Sequence, residues 1–128
     1  MNGPVVAEIP GSVADAARRL EQELAGKGIQ LFATIDHAAG ARAAGLELAD
    51  EVVLVFGNPA VGTVLMQSEP AVGLDLPLRM LIWDDGGQTR VAYHDPRGLA
   101  DTYGLSADTV VLDRLNGLLN GLAEALRS

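Results

Sequence analysis

The sequence predicts an α+β fold: a single antiparallel sheet with two main helices on one face, in the order β-α-β-β-β-β-α. Three observations carry it. Five short stretches have strand length and composition, and only two long stretches have helical spacing. Asp84-Asp85-Gly86-Gly87 is a strong hairpin turn. No linker or internal repeat divides the chain, so residues 1–128 read as one domain.

Val5 to Ile9 is short and apolar, closed by Pro10-Gly11, and reads as the first strand. Ser12 is placed as an N-cap, with Asp15 three residues on. Val13, Ala16, Ala17, Leu20 and Leu24 then follow helical spacing, and Gly26 and Gly28 suit a left-handed cap, so Val13 to Ala25 is the first helix. Gln30 to Asp36 alternates as a second strand. The Ala-rich stretch from His37 to Ala49 has room for one or two helical turns, broken at Gly40 or Gly45.

Glu51 to Phe56 is almost wholly apolar, which predicts a central strand covered on both faces. Asn58 then Pro59 suit an N-cap and first helical position, opening a short helix with Val61, Val64 and Leu65. Ser68 to Leu76 reads as a loop, Leu78 to Trp83 as the fourth strand and Thr89 to His94 as the fifth. Asp95-Pro96 repeats the cap-then-proline pattern before a short helix with Leu99 and Tyr103, ended by Gly104. Ser106 or Asp108 caps the last helix, which runs to about Arg127. That helix carries one apolar stripe at Val111, Leu115, Leu118, Leu122 and Ala125, and a second at Leu112, Leu119 and Leu126.

The composition excludes several functions. With 9 Lys and Arg against 17 Asp and Glu, the net charge of −8 disfavours nonspecific nucleic-acid binding and docking on anionic lipid. The absence of cysteine excludes disulfides, thiolate metal sites and cysteine nucleophiles. No apolar run approaches the roughly 20 residues that span a bilayer, and the start has no secretory pattern, so a cytoplasmic protein is expected.

Several short motifs occur in order. They are Ile35-Asp36-His37, Ala41, Ala44-Gly45-Leu46, Phe56-Gly57-Asn58-Pro59, Gly62-Thr63, Leu65-Met66, Leu74-Asp75-Leu76-Pro77 and Tyr93-x-Asp95-Pro96. With them the chain resembles the family called domain of unknown function 302, from about Val13 to the last helix. Arg79 and His94 depart from its pattern. The resemblance implies a TATA-binding-protein-like α+β fold and a homodimer. It implies no activity, since none is established for the family.

Candidate sites each carry two readings. Asp36 is placed to orient His37 for acid–base work, or to fix loop backbone beside a His packed on the sheet edge. Gly57, Asn58 and Thr63 form a strand-to-helix turn whose free N–H groups suit an anion, or a plain capped helix start. Asp75, between Leu74 and Leu76, is a buried acid or a loop-fixing acceptor. Asp36, His37 and Asp75 are the catalytic candidates. Arg79 and Trp83, with Arg90 on the neighbouring strand, share the sheet face away from the helices, Phe32 joining them; they form an anion or stacking surface, or a solvated face.

His94-Asp95 with Asp36-His37 would supply zinc ligands, but a strand meander puts residues 36 and 94 at opposite sheet ends, so neither metal nor cofactor is expected. Gly117 and Gly121 lie one turn apart within the last helix. Beside Leu119 they suggest a homodimer through that helix, or tight packing on the chain's own sheet. The reading these observations favour is a noncatalytic, homodimeric small-molecule-binding or regulatory domain. The alternatives are a small cofactor-independent enzyme using Asp36, His37 or Asp75, and a protein-interaction module.

Overall fold

The computed structural model describes residues 3–128. The strands are β1 (Val5–Glu8), β2 (Gln30–Asp36), β3 (Glu51–Gly57), β4 (Leu78–Asp85) and β5 (Gln88–Tyr93). The helices are α1 (Val13–Gly26), α2 (His37–Ala43), α3 (Pro59–Ser68), α4 (Leu99–Tyr103) and α5 (Thr109–Arg127). All strand pairs are antiparallel, in the spatial order β1-β5-β4-β3-β2. Helix α1 therefore links the two opposite edges of the sheet. It and α5 pack on the same face, in the α+β arrangement expected.

Local chemistry sets most boundaries. The Ser12 hydroxyl accepts from the Asp15 amide at 3.1 Å, and Gly28 takes φ +69° just past α1. Gly86 and Gly87, at φ +61° and +100°, form the two-residue β4–β5 turn, a geometry that twists with the strands it joins. Part of the expected loop after α3 is instead a 3-10 segment, Pro70–Asp75. Neither Ser106 nor Asp108 caps α5 through its side chain; Ser106–Asp108 is a 3-10 turn leading into the helix.

The core lies between the sheet and the helices. Leu54, Phe56, Met80, Ile82 and Val91 point into it and are fully buried, against Leu20, Leu24, Leu112, Leu119 and Leu122. Two expectations are corrected. β3 is central but covered on one face only, since Val53 and Val55 remain partly exposed on the side without helices. The Leu112, Leu119, Leu126 stripe belongs to this core, with Leu119 only 1% exposed. Helix α5 needs both stripes because it meets β1 and α1 together with the α4 region. Leu119 therefore packs in the chain's own core and is not on an exposed face of α5.

Gly117 and Gly121 are exposed, and an added Cβ at either meets nothing within 4 Å. Among the described residues no other part of the chain approaches them closely, so their tight-packing role within the fold is corrected too. Around them the outer face of α5 is polar apart from the exposed Val110, with Asp113, Arg114, Asn120 and Glu124 exposed.

Candidate functional site

The residues singled out from sequence separate to different parts of the sheet. Asp36 ends β2 opposite Val52, and its carboxylate accepts from the Ala39 amide at 2.8 Å, capping α2. His37 is the exposed first residue of that helix. Adjacent in sequence, the two do not form an acid–base pair: the carboxylate is directed to backbone. Asn58 likewise accepts from the Ala60 amide at 3.0 Å, and the Thr63 hydroxyl donates to the Pro59 carbonyl at 2.6 Å. Gly57 faces Phe32 and Pro77, where an added Cβ would meet ordinary contacts at 3.7 and 3.6 Å. The turn is a capped helix start.

The predicted cation-and-tryptophan group also divides. Trp83 pairs across strands with Arg90, one end of β4, whereas Arg79 pairs with Val55 near its other end. The Arg90 guanidinium holds Asp85 at 2.7 Å and Glu8 at 3.1 Å, and the Asp85 bond leads in raising its pKa. Two carboxylates thus neutralise it. Arg79 is exposed and, among the described residues, makes no hydrogen bond or ion pair.

At the Arg79 end the sheet opens into a groove of about 940 Å³. Val53, Arg79, Leu81 and Ala92 of the sheet line it, facing a wall made by Asp75, Pro77, His94, Asp95 and the Pro96–Thr102 segment. Asp75 closes the 3-10 segment before β4, and its carboxylate accepts from the Tyr103 hydroxyl. That bond ties the wall together across 28 residues of sequence and raises the Tyr103 pKa. Leu74 does not shield Asp75, being 85% exposed.

Asp95 receives the Arg97 backbone amide at 2.9 Å and the Arg97 guanidinium at 2.6 Å, and it caps the following 3-10 turn. The Arg97 side chain holds its carboxyl below the usual range despite partial desolvation. Tyr93 donates to Asn120; burial raises its pKa, helped by the Asp95 and Glu124 charges. His94 is exposed, at the opposite end of the sheet from His37. No group of three or more His, Asp and Glu gathers as metal ligands among the described residues.

The groove brings together two of the predicted site residues, Asp75 and Arg79, and leaves Asp36, His37, Gly57, Asn58, Thr63, Trp83 and Arg90 outside. Tyr103 was not among the predicted site residues. Its only signal was its place in the short helix after Asp95-Pro96.

Comparison with known proteins agrees with this picture. The profile described as "Domain of unknown function DUF302" matches residues 5–122. The chain is 40% identical over 119 residues, 91% of its length, to the fluoride-specific ion channel FluC 1 of Brucella suis biovar 1 and to FluC 1 of Brucella abortus biovar 1. The matches take in 47% and 44% of those proteins, so the chain spans about half the length of the curated relatives it matches. No helix among the described residues is long and apolar enough to cross a membrane. The crystal structure of uncharacterized conserved protein DUF302 from Bacillus stearothermophilus superposes with a TM-score of 0.88 at 18% identity, covering 97% of this chain and 98% of that one. That likeness is one of fold. With the profile match running from β1 into α5, the chain belongs to the DUF302 family of domains of unknown function.

Proposed function

We propose that this chain is a noncatalytic, homodimeric small-molecule-binding or regulatory module of the cytoplasm, with the groove beside Arg79 as its ligand site. The observation that carries the reading is a guanidinium, unpaired among the described residues, that shares a groove with an Asp75 already anchored by Tyr103. A fixed carboxylate, a free cation and apolar walls at Leu81, Ala92 and Leu99 suit retention of a small polar-ended molecule. Acid–base catalysis by Asp36, His37 or Asp75 has less support, because the Asp36 carboxylate accepts from a helix amide and that of Asp75 from Tyr103.

The relatives favour the regulatory side of this reading. A segment similar to this chain makes up about half of proteins named as fluoride-specific ion channels. A domain without a membrane-crossing helix, attached to a channel, suits the sensing of a ligand.

Native mass spectrometry of gently purified protein tests the proposal. The expected result is a dimer with a reproducible extra mass that Arg79→Ala loses while keeping the wild-type melting temperature, and that Asp75→Asn loses with no more destabilisation than Tyr103→Phe causes. A clean spectrum at every concentration, or an extra mass that survives both substitutions, removes the groove as the site. Turnover of a retained molecule would favour the enzyme reading instead.

A further inference from the structure

We infer that the sheet face without helices is where a second copy of this chain binds, and that the second copy covers the groove. The inference deepens the proposed function and rests on its homodimer. The carrying observation is a row of side chains. By strand register, Val6, Ala92, Leu81, Val53 and Ile35 stand side by side on β1, β5, β4, β3 and β2. The row is apolar across the whole sheet, on the face that α1 and α5 leave bare. At its ends Val6 and Ile35 are each 48% exposed, between them Leu81 and Val53 are half-buried, and Ala92 is already covered. Contiguous apolar patches of this kind are rare on monomers.

The flanking rows point to a second copy as the occupant. One flank holds Arg79 with Val55 and Ala33, next to the exposed His94 just past β5. The other holds Glu8, Arg90, Trp83 and Glu51. Taking Glu8 and Glu51 against Arg90 leaves that flank negative. Glu51, like Arg79, has no ion-pair partner among the described residues. Turning one copy over about an axis along the apolar row lays each Arg79 flank on the other copy's Glu51 and Trp83 flank. Both copies then gain the same contacts, as a two-fold interface requires. An arginine over a tryptophan beside a carboxylate is a favourable meeting, and the five N–H donors of the guanidinium allow Arg79 to serve the second copy's Glu51 and a ligand in the groove together.

The area suffices. Five strands at about 4.8 Å make a face about 24 Å wide, and the three rows span about 20 Å with their side chains. Two such faces bury about 1,000 Å² in all, the size at which specific association begins. Val53, Leu81 and Ala92 belong both to this face and to the groove floor. Association therefore covers the groove on its open side, and retention of a ligand becomes dependent on protein concentration.

The test is sedimentation of the full chain at 1 and 200 µM, wild type beside Leu81→Asp, Ile35→Asp and Gly121→Gln, with folding checked by circular dichroism. The expected result is a wild-type dimer at 200 µM that both Asp variants dissociate at least tenfold more readily, and that Gly121→Gln leaves unchanged. Ile35 lies on an edge strand, so its variant keeps the test usable should Leu81→Asp unfold. The chain has no cysteine, so Val53→Cys gives a single thiol on the groove floor. Its labelling by a maleimide should slow at least tenfold between 1 and 200 µM.

A wild-type monomer at 200 µM overturns both the homodimer and this face. A wild-type dimer that Gly121→Gln dissociates and the Asp variants leave intact keeps the homodimer and overturns the face. A dimer with unslowed Val53→Cys labelling overturns the covering of the groove.

Discussion

On one face of the sheet, Leu54, Phe56, Met80, Ile82 and Val91 are fully buried under α1 and α5. On the other, Val53, Val55, Leu81 and Trp83 are only partly covered, although they are apolar and alternate with the first set along β3 and β4. Along β3 composition hardly distinguishes the two faces, although the charged Glu8, Glu51, Arg79 and Arg90 stand on the open one. What differs is whether the chain supplies its own cover. The first face therefore holds the fold together, and the second is open to a ligand or a partner.

Alanine substitution breaks this contrast most directly. Phe56→Ala removes a fully buried side chain against the helices and should cost about 3–5 kcal/mol in urea unfolding. Val55→Ala, one residue away and pointing to the open face, should cost below about 1 kcal/mol in dilute protein. Similar losses at both would mean that the open face is already covered within one chain.

A smaller effect separates the two ends of the sheet. At the β2 end, Asp36→Ala should cost about 1 kcal/mol by uncapping α2. His37→Ala should stay within about 0.5 kcal/mol, since its exposed ring supports nothing in the fold. At the groove end, Asp75 is fixed by a side chain far along the sequence. Equal losses for Asp36→Ala and His37→Ala would restore the pair that the geometry separates.

That difference also explains what was legible in the sequence. Caps are local, so Ser12, Asn58 and the glycine turn at residues 86–87 could be placed from their neighbours alone. The strands and both main helices followed from period and punctuation. The β3 run was ambiguous for a physical reason: a continuous apolar run records that both faces favour cover, not what covers each. The same ambiguity misdirected the Leu119 stripe, which reads as surplus until α5 is seen meeting several elements at once.

Long-range pairings left no local trace. Arg90 is held by Glu8 from 82 residues away, and Asp75 by Tyr103 from 28. The first turned a candidate anion site into a neutralised pair, and the second turned an isolated acid into part of a groove wall.

The α5 glycines sharpen the comparison from outside the sheet. With nothing near their missing side chains, Gly121→Ala should raise stability by about 0.8 kcal/mol through helix propensity alone. Self-association should not change, because the exposed helix face around them is polar apart from Val110. Loss of the dimer on adding one methyl group would move the interface to α5 and leave the open sheet face uncovered.

The smallest effects are those of pH on the groove wall, and their signs differ. Asp95 titrates below its usual value of about 4 because Arg97 binds the charged form. Its contribution is complete above that value and fades as pH falls through the lowered folded value. The stability gap between wild type and Asp95→Asn should therefore be flat near neutrality and close in acid. Tyr103 titrates above its usual value of about 10, first because its hydroxyl donates to Asp75. Its contribution is present below about pH 10 and is lost as pH rises through the raised folded value, so Tyr103→Phe should converge with wild type in alkali. Unfolding curves across pH read both limbs. Arg97 and Tyr103 meet their partners near solvent, so added salt should shrink the acid gap more than the alkaline one, where a neutral hydroxyl is the donor. Gaps that stayed constant across pH would mean that the wall is held by packing, with its two carboxylates free to serve a ligand instead of the fold.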